Sequence, residues 1–373
     1  MTPSALLADL VALGDLPGAP NARMAGYVQA YLARLGVDCA VLPGPEGDRV
    51  NLFATIGPRD VPGYILSGHM DVVPVEGQVW ASDPFRLRDA GGRLYGRGAS
   101  DMKGYLACML AMVPEFQAMA LRRPIHMAFS YDEEIGCRGV GHMIARLPEL
   151  CAPPLGCIVG EPSDLQPVLS HKGKQAVELR IGGRAAHSSQ PDLGLNAIYP
   201  AAEVLLFIRD LAARLAAEGP LDPRFLPAHS TLVAGVVQGG AAVNIIPDQC
   251  MIQMEVRSVP GQAPQDITAE VLDRLAALPE VRVSHRELSS YPALPPPRDR
   301  TLADLLERLT GKPALQSVSY GTEAGLFHAA GVPSIICGPG SITRAHRPDE
   351  FITEAELEGC RAMLRGLARD AAG

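Results

Sequence analysis

The sequence predicts an α/β protein of two domains, in which a main domain built from both ends of the chain carries an inserted α+β domain. Three observations lead there. The chain has 373 residues, 47% of them hydrophobic, which is long for one core and enough to fill two. Helical and strand-like patterns alternate up to about residue 173 and return after about residue 289. Between them the texture changes to half-solvated strands and long amphipathic helices, which places the domains at 1–173, 174–288 and 289–373.

In the first part, Pro3 suits a helix start, and residues 22–35 carry apolar side chains at helical spacing with Gly36 as the stop. Short apolar runs at 51–56, 64–66, 125–131 and 157–159 read as strands, with a helix over 104–119. In the insert, strands near Gln175, Thr231, Gln249 and Val281 and helices over 196–217 and 265–277 make a strand-helix-strand-strand-helix-strand order. Both helices are expected on one face of that sheet, a ferredoxin-like arrangement. The proline-rich stretch 291–297 is a stiff exit, followed by a helix over 301–309 and a strand over 334–337.

A net charge of −8 argues against a nucleic-acid or anionic-membrane surface, since both require clustered Lys and Arg. A small-molecule partner is expected. The eight cysteines are scattered without a C-x-x-C pair and read as buried small hydrophobes in a reducing compartment. No basic leader and no bilayer-length apolar run is present, so a cytoplasmic location is expected.

The chemistry lies in a ladder of hard ligands: His69, Asp101, the adjacent Glu133 and Glu134, Glu161, and His346 far downstream. Imidazole and carboxylate donors suit zinc or cobalt. Two neutral imidazoles with Asp101, Glu134 and Glu161 balance two divalent cations and one hydroxide. His69, Glu133-Glu134 and Glu161 each follow a predicted strand, where an open α/β sheet places its chemistry. In His69-Met70-Asp71 the Asp71 carboxylate can hold the imidazole N–H, although a structural pair would read the same way. Asp101, in a glycine-rich turn entering a helix, can bridge two ions or cap the helix. Adjacent carboxylates after a buried strand are costly without cations or solvent. One of them can bind metal while the other moves a proton, and Glu134 is assigned the first task and Glu133 the second. No Walker lysine motif, dinucleotide fingerprint or Gly-x-Ser-x-Gly elbow competes with this reading.

These residues stand in Ser67-Gly68-His69-Met70-Asp71-Val72-Val73-Pro74 and in Leu94-Tyr95-Gly96-Arg97-Gly98-Ala99-Ser100-Asp101-Met102-Lys103-Gly104. In them the chain resembles the M20 metallopeptidase family over nearly its whole length. The resemblance implies a zinc-dependent exopeptidase-like catalytic domain with an inserted lid and dimerisation domain, hence a homodimer. It implies two metal ions, zinc with cobalt as an alternative. His69 and Glu161 would hold one, Glu134 and His346 the other, Asp101 would bridge them, and Glu133 would be the base. A cis peptide is expected at Asp101-Met102. In Arg184-Ala185-Ala186-His187-Ser188-Ser189 the resemblance gives His187 to the substrate carbonyl, and it gives Asn244 and Arg257 to the α-carboxylate.

Gly160-Glu161-Pro162-Ser163-Asp164, Tyr320-Gly321-Thr322-Glu323-Ala324 and Gly338-Pro339-Gly340-Ser341-Ile342 resemble the branch that deacetylates N2-acetyl-L-ornithine in arginine biosynthesis. They resemble the succinyl-diaminopimelate desuccinylases less. A related N-acyl-amino-acid hydrolase of the same family, an aminoacylase, succinyl-diaminopimelate desuccinylase or dipeptidase, is the nearest alternative, and a non-catalytic metal-dependent binding protein on the same fold is a second. Glu323 and Asp192 are the acidic residues considered for the substrate ammonium, without a motif that chooses between them.

Overall fold

The computed structural model describes residues 1–373, which divide into two compact units. One comprises Met1–Ser170, Pro296–Gln316 and Thr322–Gly373, and the other His171–Pro295 with Ser317–Gly321. The boundary expected at residue 288 would have cut the last strand of the insert, which runs on through an irregular register near Glu287 to Tyr291.

The first unit opens with α1 (Pro3–Leu13) and α2 (Ala22–Arg34). Thr2 caps α1 by accepting the Ala5 N–H at 3.2 Å. Strands β1 (Cys39–Pro43), β2 (Val50–Ile56) and β3 (Tyr64–His69) follow, then the small hairpin β4 (Arg88–Ala90) and β5 (Arg93–Tyr95). A wide turn, Ala99–Lys103, leads into α3 (Gly104–Ala118), and β6 (Ile125–Ser130), α4 (Val140–Ile144), α5 (Leu147–Leu150) and β7 (Gly156–Pro162) come next. The main sheet has β2 antiparallel to β6, β6 parallel to β3 and β3 parallel to β7. Every residue of β3, β6 and β7 is buried, as expected for parallel strands covered on both faces. Gly160 allows the closest approach in this core: a Cβ there would lie 2.1 Å from the Tyr105 ring. Its absence lets α3 press onto β7 directly beside Glu161.

The insert runs β8 (Gly173–Gly182), α6 (Ile198–Glu218), β9 (Thr231–Gly239), β10 (Gln249–Ser258), α7 (Pro264–Ala276) and β11 (Arg282–Tyr291). This is the predicted element order. Its antiparallel sheet is ordered β11-β8-β10-β9. Alternate residues of β8 and β10, among them Val177, Leu179, Ile252 and Met254, pack in one core with Val204, Leu211, Ile267 and Val271 of the two helices. The chain then returns to the first unit with α8 (Thr301–Thr310), α9 (Ala324–Ala329), β12 (Ser334–Gly338), β13 (Phe351–Thr353) and α10 (Glu354–Ala372). β12 adds to the main sheet parallel to β7, and β13 pairs with β5. Thr353 and Glu356 form a reciprocal capping box at the start of α10. All eight cysteines are free, and no helix is long and apolar enough to cross a membrane.

Two buried histidines make stability depend on pH. Burial pushes His126, on β6, and His171, at the start of the insert, each down to about 4. Both are neutral when folded, so from about 6.5 down to about 4 the unfolded chain binds more protons and stability falls as pH falls. His126→Asn is expected to flatten that fall by up to about 1.4 kcal/mol per pH unit relative to wild type. Denaturant unfolding of both proteins at pH 7 and pH 5 measures the difference, and equal losses would rule out this origin.

Candidate metal centre

The ligands converge because β6, β3 and β7 are neighbours running in the same direction, with His69 opposite Ser130 and Ser67 opposite Val159. His69 ends β3, Glu161 lies near the end of β7, and Glu133 and Glu134 follow β6. Asp132 turns the chain there with φ 55°, a conformation Asp tolerates better than most residues. It is held by the Gly18 N–H at 2.7 Å and by the Arg49 guanidinium.

His69 Nε2 lies 3.1 Å from Asp101 Oδ1 and 3.9 Å from Glu161 Oε1. His346 Nε2 lies 3.3 Å from Asp101 Oδ2 and 3.1 Å from Glu134 Oε2. The two oxygens of Asp101 therefore face two different imidazoles, each with its own second carboxylate. Glu133 also comes within ligand spacing of His69 and Glu161, so proximity alone would admit it as a donor. The peptide Asp101-Met102 is cis.

Asp71 meets both His69 and the acidic pair. The His69 Nδ1 is 2.9 Å from the Asp71 backbone carbonyl and 3.6 Å from its carboxylate. The nearer carbonyl receives the imidazole N–H and fixes the tautomer. The carboxylate accepts the backbone N–H groups of Glu133 and Glu134 at 3.2 and 3.1 Å, so it braces the acidic pair against β3. A further contact was not legible: the Cys137 thiol, at φ 55°, donates to Glu133 Oε1 at 3.2 Å.

The electrostatics show a shortage of positive charge. Burial pushes Glu133 up to about 8; His69 opposes the rise, and Glu134, Glu323 and Asp101 add to it. Burial and Asp101 likewise raise Glu161 well above the carboxylate range. Burial also works against His69, but Asp101, Asp71 and Glu161 drive it well up, and Asp101 and Glu134 push His346 up to about 10. Asp101 itself, despite burial, is held far below its usual value by His346 and His69. Glu134 Oε1 is buried with no hydrogen-bond partner. Such a cluster of nitrogen and oxygen donors fits divalent cations, which would supply the missing charge and return the carboxylates to their ionised form.

Glu323 sits against this cluster, buried, with its Oε2 3.5 Å from Ser67 Oγ, and burial pushes its carboxyl up to about 7. Asp192 lies in an exposed turn of the insert. His187 and Asn244 are brought together within the insert: His187 forms a β-bridge with Ile245, and the Ser188 N–H donates to the Asn244 carbonyl at 3.0 Å. Both are exposed. Arg257 stands at the opposite end of β10 from that loop, its Nε donating to Glu255 Oε1 at 2.6 Å.

Residues 65–370 match the model of a family described as Peptidase family M20/M25/M40. An acetylornithine deacetylase of Photorhabdus laumondii is 34% identical, across 93% of this chain and 90% of that protein. One of Proteus mirabilis is 33% identical, across 93% and 89%. Among solved structures, an M20 family metallo-carboxypeptidase from Sulfolobus solfataricus superposes with a TM-score of 0.82 at 17% identity, covering 99% of each chain. Human carnosine dipeptidase 1 does so with a TM-score of 0.74 at 17% identity, over 99% of this chain and 96% of that one.

Proposed function

The chain belongs to peptidase family M20/M25/M40 and is a metal-dependent amidohydrolase, and from that premise we propose that it converts N2-acetyl-L-ornithine and water to acetate and L-ornithine. The observation that carries the substrate is the identity, 34% over 93% of the chain, to a protein named acetylornithine deacetylase. The segments at Gly160–Asp164 and Tyr320–Ala324 support it.

His69, Asp101, Glu134, Glu161 and His346 would hold two divalent cations, zinc or cobalt. When bound, these would polarise the acetyl carbonyl and acidify a water. The chain's own residues do the rest. Glu133, with one oxygen engaged by Cys137, takes a proton from the attacking water at its other oxygen and delivers it to the departing nitrogen as the C–N bond breaks. Asp71 keeps Glu133 and Glu134 at fixed spacing through their backbone N–H groups. By the family resemblance His187 would donate to the carbonyl oxygen as it gains charge, and Asn244 and Arg257 would receive the α-carboxylate; standing at opposite ends of β10, those last two would have to come from different copies of the chain.

A homodimer is part of this reading. β9 is an edge strand of the insert with Val233 and Val237 exposed at 57% and 49%, a row of open backbone groups suited to the same strand of a second copy. The test is a panel of N-acetyl, N-succinyl and other N-acyl amino acids and dipeptides at fixed zinc, on protein sized by gel filtration. The expected outcome is the highest kcat/KM for N2-acetyl-L-ornithine from a dimer. Preference for another acyl group would overturn the substrate, and a strict monomer would remove the second copy.

A further inference from the structure

Asp101 and His346 come from distant parts of the chain, and neither is held by a regular element. Asp101 stands in the turn Ala99–Lys103 with φ −121° and ψ 95°. His346 lies between β12 and β13 with φ 63°, where an L side chain is strained. Their spacing must be set by something else, and the surrounding contacts identify it.

The Glu350 carboxylate accepts four hydrogen bonds from the Asp101 segment. Its Oε1 takes the backbone N–H groups of Ser100 and Asp101 at 2.9 and 3.0 Å. Its Oε2 takes the Gly98 N–H at 3.0 Å and the Arg97 guanidinium at 2.8 Å. Arg97 extends the connection to the other ligand. Its Nη1 donates to the Arg347 carbonyl at 3.3 Å, and its Nη2 to Gln78 Oε1. Gln78 Nε2 then donates to the carbonyl of His346 itself at 2.9 Å. The Arg97 guanidinium also lies over the Trp80 ring, 4.9 Å from its centroid, and the Trp80 indole donates to Gln78.

Arg97 and Glu350 are each 1% exposed at the side chain. A buried ion pair is a poor source of net stability, because desolvation offsets most of the attraction. Its geometry is what it supplies: three hydrogen bonds from the planar guanidinium on one side and a two-oxygen acceptor on the other leave little freedom to the segments they join.

We propose that Glu350, Arg97 and Gln78 form a positioning clamp that sets the separation of Asp101 from His346 and thereby the affinity for the metal those two residues share. The clamp rests on the reading of the site as a metal centre and is independent of the substrate. The test is titration of the full chain with Co²⁺, followed by calorimetry and by visible absorption, for wild type, Glu350→Gln and Gln78→Ala. Wild type is expected to take two equivalents. In both variants one equivalent is expected to bind about 10–100-fold more weakly, with altered cobalt bands. If Glu350→Gln does not fold, as circular dichroism would show, Gln78→Ala decides, since shortening that half-buried side chain leaves the buried Arg97–Glu350 ion pair in place. Wild-type affinity and spectrum in a folded Gln78→Ala would overturn the clamp while leaving the metal centre intact. Failure of wild type to bind cobalt would overturn the metal centre and the clamp with it.

Discussion

Glu133→Ala is expected to lower kcat by about 10²–10⁴-fold, the usual worth of a positioned proton-transfer group, while the protein keeps its metal. The expectation follows from a division of labour within an adjacent pair. Glu134 faces His346 at 3.1 Å, whereas Glu133 has one oxygen taken by Cys137 and the other available to a reacting water. Both backbones are tied to the same Asp71 carboxylate, so removal of the Glu133 side chain leaves the Glu134 anchor in place. Steady-state kinetics with metal analysis after exhaustive dialysis makes the check. Near-normal turnover would remove Glu133 from the reaction, and loss of metal together with activity would make it a ligand, the alternative its proximity to His69 and Glu161 admits.

Asp101→Asn is expected to lose more, because one substitution damages both halves of the site. Each carboxylate oxygen faces a different imidazole, at 3.1 and 3.3 Å, and the amide replaces one acceptor oxygen by a donor and removes the negative charge. Affinity for both ions is therefore expected to fall by more than the ~10–100-fold typical of losing an outer partner of a metal ligand, with activity near background at micromolar metal. The same dialysis and kinetics apply. Two retained equivalents with wild-type turnover would show that Asp101 does not bridge.

Much of the site was readable in the chain because the part of the main sheet that carries it, β6-β3-β7-β12, is parallel and buried. Short apolar runs end in polar residues, and in such a sheet those ends lie at one edge, so His69, Glu133-Glu134 and Glu161 could be grouped before any strand order was known. Asp101 and His346 entered through residue type and motif. The function of Asp71 was half legible. Its sequence neighbour His69 suggested a partner for the carboxylate, yet that carboxylate binds the backbone of Glu133 and Glu134, residues reachable only because β6 lies beside β3. The role of Glu350 was not legible in the sequence, since three of its four partners are backbone N–H groups, which every residue possesses and no motif advertises. An acidic residue leading into the apolar Phe351-Ile352 was the one available sign.

The sequence by itself determined the reaction chemistry and the domain plan, because donor types, strand-end positions and period-2 against period-3.6 patterning are local properties. Only the tertiary structure decided how the donors divide between the two imidazoles, which oxygen of Asp71 serves which neighbour, and what holds Asp101 and His346 at their spacing. Those depend on contacts between segments far apart in the chain, and contacts of that kind are fixed by packing and by the need to satisfy buried polar groups.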